Sequence, residues 1–189
     1  MRRLFLIGVL AIAFGVVAQP ALAGGGTYVF DGGTPKEQAT VRSALNASSF
    51  DYGLVTQTIT VHIGSYGGSY ATAGDVYFDG SLLDAGRFSW GVVQHEFGHQ
   101  VDFFLLDPAK RAVLQQALGA ADWCYEGADV AHSDHGCERF ASELSWAYWP
   151  SPDNCMRGPE GSAMPPAAFR ALLAQLIGAP TVVAFSRKR

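Results

Sequence analysis

A chain of 189 residues, 49% of them hydrophobic, is long enough to bury a real core in one domain. Its 13 basic residues are outnumbered by 17 acidic ones, for a formal net charge of −4. No basic stripe runs along it, which argues against nucleic acid as a partner.

The first 23 residues, "MRRLFLIGVLAIAFGVVAQPALA", pair a basic start (Arg2, Arg3) with an apolar run from Leu4 to Ala18. Ala21-Leu22-Ala23 then precede a glycine run, so residues 1–23 read as a secretory signal with an A-x-A cleavage site. Residues 24–189 are expected to form a single domain, secreted and extracellular, with no stable membrane span in the mature form. Losing Arg2 and Arg3 takes the 13 basic residues to 11 against 17 acidic ones, a mature net charge near −6.

After a glycine-rich entry, residues 27–30 suggest a short strand, and "KEQATVRSALNAS" behind Pro35 spaces its apolar residues helically. "TQTITVHIGS" alternates Ile59, Val61 and Ile63 against Thr58, Thr60 and His62, the pattern of a half-buried strand. "SYGGSYATAG" reads as a loop, "DVYFDG" as another strand and "SLLDAG" as a turn. "WGVVQHEFGHQVDFFLL", Trp90 to Leu106, is helical in length and ends at Asp107-Pro108. "PAKRAVLQQALGAA" is a second helix, with Pro at its first turn and Gly119 near its end. A loop rich in Asp, Gly and His covers 122–136. Two further helices follow, "CERFASELSWAYW", stopped by Pro150 and Pro152, and "PPAAFRALLAQLIG". Strands first and helices after give an α+β fold. The terminal "SRKR" reads as a solvated tail.

Three cysteines, Cys124, Cys137 and Cys155, meet an oxidising medium in an exported protein. An odd count implies one disulfide and a third thiol. Cys124–Cys137 is the favoured pair, closing "CYEGADVAHSDHGC", with pairings through Cys155 left open.

The chemistry concentrates in H-E-x-x-H, formed by His95, Glu96 and His99. Residues four apart lie one above the other on a helix, so the two imidazoles converge on one point, as a tetrahedral zinc site needs. Glu96, next round the helix, misses the metal but reaches a zinc-bound water. It is the expected general base. Val92, Val93, Phe97 and the run from Phe103 to Leu106 predict a buried helix. Leaving His95, Glu96 and His99 unpaired there would cost several kcal/mol. Asp102 extends the same face, placed either to orient a ligand imidazole or to support the helix, unless it is simply a solvated carboxylate. Gly98 costs a helix about 1 kcal/mol relative to Ala, which suggests close packing.

The third ligand is not on this helix. The metzincin signature needs Gly at 102 and His at 105, where this chain has Asp102 and Leu105. Glu126, Asp129, His132, Asp134, His135, Glu138 and Glu143 are the candidates downstream. Glu138 and Glu143 are best placed, since both ride one helix, and the apolar stripe of that helix does not decide between them. Cys124, His132, His135 and Cys137 could alternatively hold a structural zinc, although their spacing lacks the usual form.

"HEFGHQVDFF" followed by "ERFASEL" resembles the gluzincin arrangement of the anthrax lethal factor and Pro-Pro endopeptidase type, H-E-x-G-H-x-x-D and then roughly E-F-F-A-E. The match covers His95, Glu96, Gly98, His99 and Asp102, then Glu138, Phe140 and Ala141, with Glu138 following His95 by 43 residues. The resemblance implies a small zincin-like domain with zinc held by His95, His99 and Glu138 and with Glu96 as catalytic base. It departs at Ser142, where the family has a second acid, and at Ala131, where a tyrosine would stabilise the transition state. His132, His135 and Tyr125 are nearby candidates for that role. The resulting expectation is a secreted zinc-dependent metalloendopeptidase acting on a protein or peptide substrate. "GDVYFDG" would be the sheet edge that holds it. The alternative is a secreted or cell-surface binding domain with a structural or vestigial zinc site.

Overall fold

The computed structural model describes residues 21–23, 26–124, 130–156 and 164–178. Five strands form one mixed sheet in the order β1-β2-β3-β5-β4: β1 (Ala21–Ala23), β2 (Gly26–Gly32), β3 (Ile59–Gly64), β4 (Tyr70–Thr72) and β5 (Asp75–Asp79). The three central strands run parallel, and β1 and β4 pair antiparallel at the two edges. The alternation in β3 is realised: Ile59, Val61 and Ile63 are buried while Thr60 and His62 turn outward.

The crossover from β2 to β3 is α1 (Pro35–Ala47), started by Thr34 and Glu37 in a capping box with Pro35 at its first turn. The long helix α3 (Phe88–Leu105) follows a one-turn helix α2 (Gly80–Leu83). Next come α4 (Pro108–Leu118), closed by Gly119 in the left-handed conformation, then α5 (Gly136–Tyr148) and α6 (Pro166–Ile177). The fold is α+β, as expected. Its buried apolar residues form one cluster, drawn from the inner face of the sheet and from α1 and α3 to α6.

Gly98 has a plain reason. A Cβ there would stand 3.0 Å from Ala141 Cα and 3.3 Å from Ala141 O, so the glycine lets α3 and α5 cross at backbone distance. That approach brings the two motif helices together.

Three local expectations are corrected. The stretch read wholly as a loop, 65–74, contains β4, and "SLLDAG" begins with α2, capped by Asp79. "GDVYFDG" is not a sheet edge: β5 lies between β3 and β4, so the edge on that side is β4. The predicted leader, residues 1–23, lies outside the described residues except for Ala21–Ala23, whose backbone makes β1; the "SRKR" tail lies outside them too. No helix among the described residues is long and apolar enough to cross a membrane.

Candidate metal centre

His95 and His99 face α5 from the middle of α3, both buried, with their rings edge to face at 4.8 Å. Their Nε2 atoms are 3.2 Å apart, and Glu138 Oε2 lies 3.1 Å from the first and 3.4 Å from the second. In a tetrahedral site with bonds of about 2.0–2.1 Å, ligand atoms stand roughly 3.3–3.4 Å apart. The three atoms therefore already form a face of such a tetrahedron within a few tenths of an ångström. Glu96 is beside them, and one ligand atom each from His95, Glu96 and His99 lie within 4.8 Å of one another. This buried group could hold a metal ion.

His95 is held from behind. Ser142 Oγ lies 3.0 Å from His95 Nδ1, leaving Nε2 to face the centre. Ser142 is one turn after Glu138, so a single face of α5 carries both the carboxylate and the group that orients an imidazole. The serine that departs from the family pattern thus has a defined job. Asp102 is buried and takes Arg111 Nε at 2.7 Å and Trp123 Nε1 at 3.1 Å. It supports the helix by tying α3 to α4 and to the segment before the loop; no imidazole is among its hydrogen-bond donors.

That segment also positions Glu138. The amides of Gly136 and Cys137 donate to the carbonyls of Asp122 and Trp123 at 3.0 and 2.7 Å, satisfying the start of α5. A Cβ on Gly136 would meet Asp122 O at 2.9 Å, so glycine is needed at this approach. Cys124 and Cys137 form the favoured disulfide next to Glu138, which excludes the alternative Cys2His2 zinc site. Such a bond is compatible with an extracellular protein.

The electrostatics follow from burial and proximity. Burial pushes the Glu138 carboxyl up, but hydrogen bonds and charge from His95 and His99 outweigh it and hold the group far below the usual range. Burial pulls the His99 imidazole down, and Glu138, Glu96 and Asp102 together reverse this and raise it. Glu96 is raised, because burial exceeds the opposing effect of His95 and His99.

An open cleft gives access to the group. It is lined by His95, Glu96, His99 and Glu138, by Cys124, His132 and Phe103, and by Tyr70 and Ala71 of β4 with Ser69 just before them. His132 enters this cleft, with Nε2 3.2 Å from Glu138 Oε2. His135 does not line it: it is buried at the start of α5 with Nδ1 2.7 Å from Asp122 Oδ1, so its placement lends no support to a transition-state role. Glu143 is buried but not among the residues lining the cleft. Asp134 is on the surface with Arg139. Tyr125, Glu126 and Asp129 lie outside the described residues.

Sequence reasoning missed the β4 edge and Gln100. The signal for Gln100 was a polar residue directly after His99 inside an apolar run. The chain matches no family model, no curated protein and no solved structure.

Proposed function

We propose that this chain is a secreted zinc-dependent metalloendopeptidase. The observation that carries the reading is the near-tetrahedral face of His95 Nε2, His99 Nε2 and Glu138 Oε2, with a second carboxylate, Glu96, beside it. Two imidazoles and one carboxylate are a donor set suited to catalytic zinc, which supplies Lewis acidity toward water and toward a carbonyl. The resemblance of both motifs to gluzincins supports the same ligand set.

The protein's own groups divide the remaining work. Glu96 accepts the proton of the attacking water at its carboxylate and returns it to the leaving amine. Among the described residues the β4 edge has a sheet neighbour on one side only. Thr72 and Asp75 flank a two-residue loop and pair closely. By alternation along an antiparallel ladder, the N–H and C=O of Ala71 then face the open side, where an extended peptide can add as a strand. His132, exposed at the cleft, is in reach to donate toward a developing oxyanion.

One observation favours a second reading. His132 stands as close to Glu138 Oε2 as His95 and His99 do. As a fourth protein ligand it would close the site and make the zinc structural, in a binding domain.

Zinc content and chelator-sensitive cleavage of a diverse peptide mixture separate these readings. Glu96→Gln should keep zinc and lose about 10²–10⁴-fold in cleavage rate. Glu138→Ala should lose zinc while Glu143→Ala keeps it. Equal zinc in wild type and Glu138→Ala overturns the ligand set. Zinc retained without chelator-sensitive cleavage, and lost in His132→Ala, favours the binding domain.

A further inference from the structure

Gln100 directly follows His99 and is almost fully buried, yet it touches neither the ligand triangle nor the cleft. Its side chain reaches the turn between β4 and β5. The amide nitrogen donates to Thr72 O at 2.8 Å and to Asp75 O at 3.1 Å, and the amide oxygen accepts from Gly74 N at 2.9 Å. Gly74 O in turn accepts from Thr60 N at 2.9 Å, so the turn is anchored to β3 on one side and to α3 on the other. Only a carboxamide of this length offers donors to two carbonyls and an acceptor to one amide from a single side chain. The turn can have this shape because Gly74 has a φ of +91°, a region that L side chains rarely adopt.

We propose that Gln100 is a positioning residue that sets the distance and register between the β4 edge and the metal centre. This rests on the reading of the site as a peptidase whose extended substrate runs along β4. β4 is three residues long and packs against α3, and the hydrogen bonds from its turn to that helix run through Gln100. Gln100 makes that connection one residue away from His99. A substrate strand added to Ala71 is then delivered to the metal at a fixed offset. Misplacing reacting atoms by about 1 Å can lower a rate on the order of 100-fold.

The test compares wild type with Gln100→Met, which keeps length but loses all three hydrogen bonds. Gln100→Ala leaves room for water to satisfy the turn and serves if the methionine variant does not fold. Zinc content is measured first, then kcat and KM on a cleaved peptide and on versions trimmed from either end. The expected result is unchanged zinc, a 10–100-fold fall in kcat/KM on the long peptide carried mainly by kcat, and less than about threefold on the shortest cleavable one. An equal loss on long and short peptides, or none, overturns the proposal. Amide hydrogen exchange provides an arm without activity: Gly74, whose amide donates to Gln100, should lose protection in the variant while the α3 amides keep theirs. Unchanged protection at Gly74 also overturns it. Absence of chelator-sensitive cleavage by the wild type would instead strike the peptidase reading, with the exchange arm still deciding whether Gln100 holds the edge.

Discussion

The α5 side of the cleft and its β4 side are held in different ways. On the α5 side, Glu138 sits between a disulfide, two backbone hydrogen bonds to residues 122 and 123, and a helix crossing at backbone distance. Its neighbours Ser142 and Asp102 are buried and hydrogen-bonded in turn. On the β4 side, three residues rest on one strand and on the amide of Gln100, and Tyr70 is 47% exposed. Rigidity is concentrated where a metal needs its donors within a few tenths of an ångström. The β4 edge, the substrate edge of the proposed reading, leaves Tyr70 and Thr72 exposed.

Four perturbations can break or sharpen that contrast. Replacing Cys124 and Cys137 together with Ala should cost roughly 3 kcal/mol of stability, for a loop of this length on the chain-entropy view. Denaturant unfolding measures it, and zinc affinity should fall with it because Glu138 is the adjacent residue. A double variant with wild-type stability and affinity would show that the disulfide does not hold this side. Gly98→Val inserts a branched side chain against the Ala141 backbone, and overpacking of that kind costs about 1–3 kcal/mol. Thermal unfolding of the metal-free protein should register it.

Ser142→Ala removes the partner of His95 Nδ1 and should weaken zinc binding by roughly 10–100-fold, read in a chelator competition, with little change in fold. An unchanged affinity would mean that the helices alone orient the imidazole. The smallest effect is expected on the sheet. His62 lies between Asp31 and Asp75, at 2.9 and 2.8 Å. Burial pulls its imidazole down, but the hydrogen bonds to Asp75 and Asp31 outweigh this and raise it. A raised folded-state value stabilises the protein fully below the unfolded value of about 6.5, and the contribution is lost as pH rises through the folded one. Stability followed from pH 6 upward should therefore decline more in wild type than in His62→Gln. Zinc affinity at a fixed pH should be equal in the two.

The elements with clear local signals were legible. The 59–64 alternation, the Pro35 and Pro108 helix starts and the length of the H-E-x-x-H helix all describe what the structure contains. β4 escaped because three residues in a glycine-rich stretch carry no usable period, and overlooking it made β5 look like an edge. Glu138 and Glu143 could not be separated by their own helix, since both are buried on it and the choice turns on Glu138 meeting His95 of α3. The spacing leaves Asp102 open between orienting an imidazole, supporting the helix and facing solvent, because the partners that decide for support, Arg111 and Trp123, are 9 and 21 residues away.

What the sequence determined by itself is the pairing of His95 with His99 and the place of Glu96 beside them, because a spacing of four on a helix is set by backbone geometry alone. The α+β order of elements was likewise written in local periodicities. The tertiary structure decided which carboxylate completes the triangle, which strand is the edge and what Gln100 holds. Those answers depend on how closely α3, α5 and the β4–β5 turn approach one another, and that distance is set by packing between residues far apart in the chain.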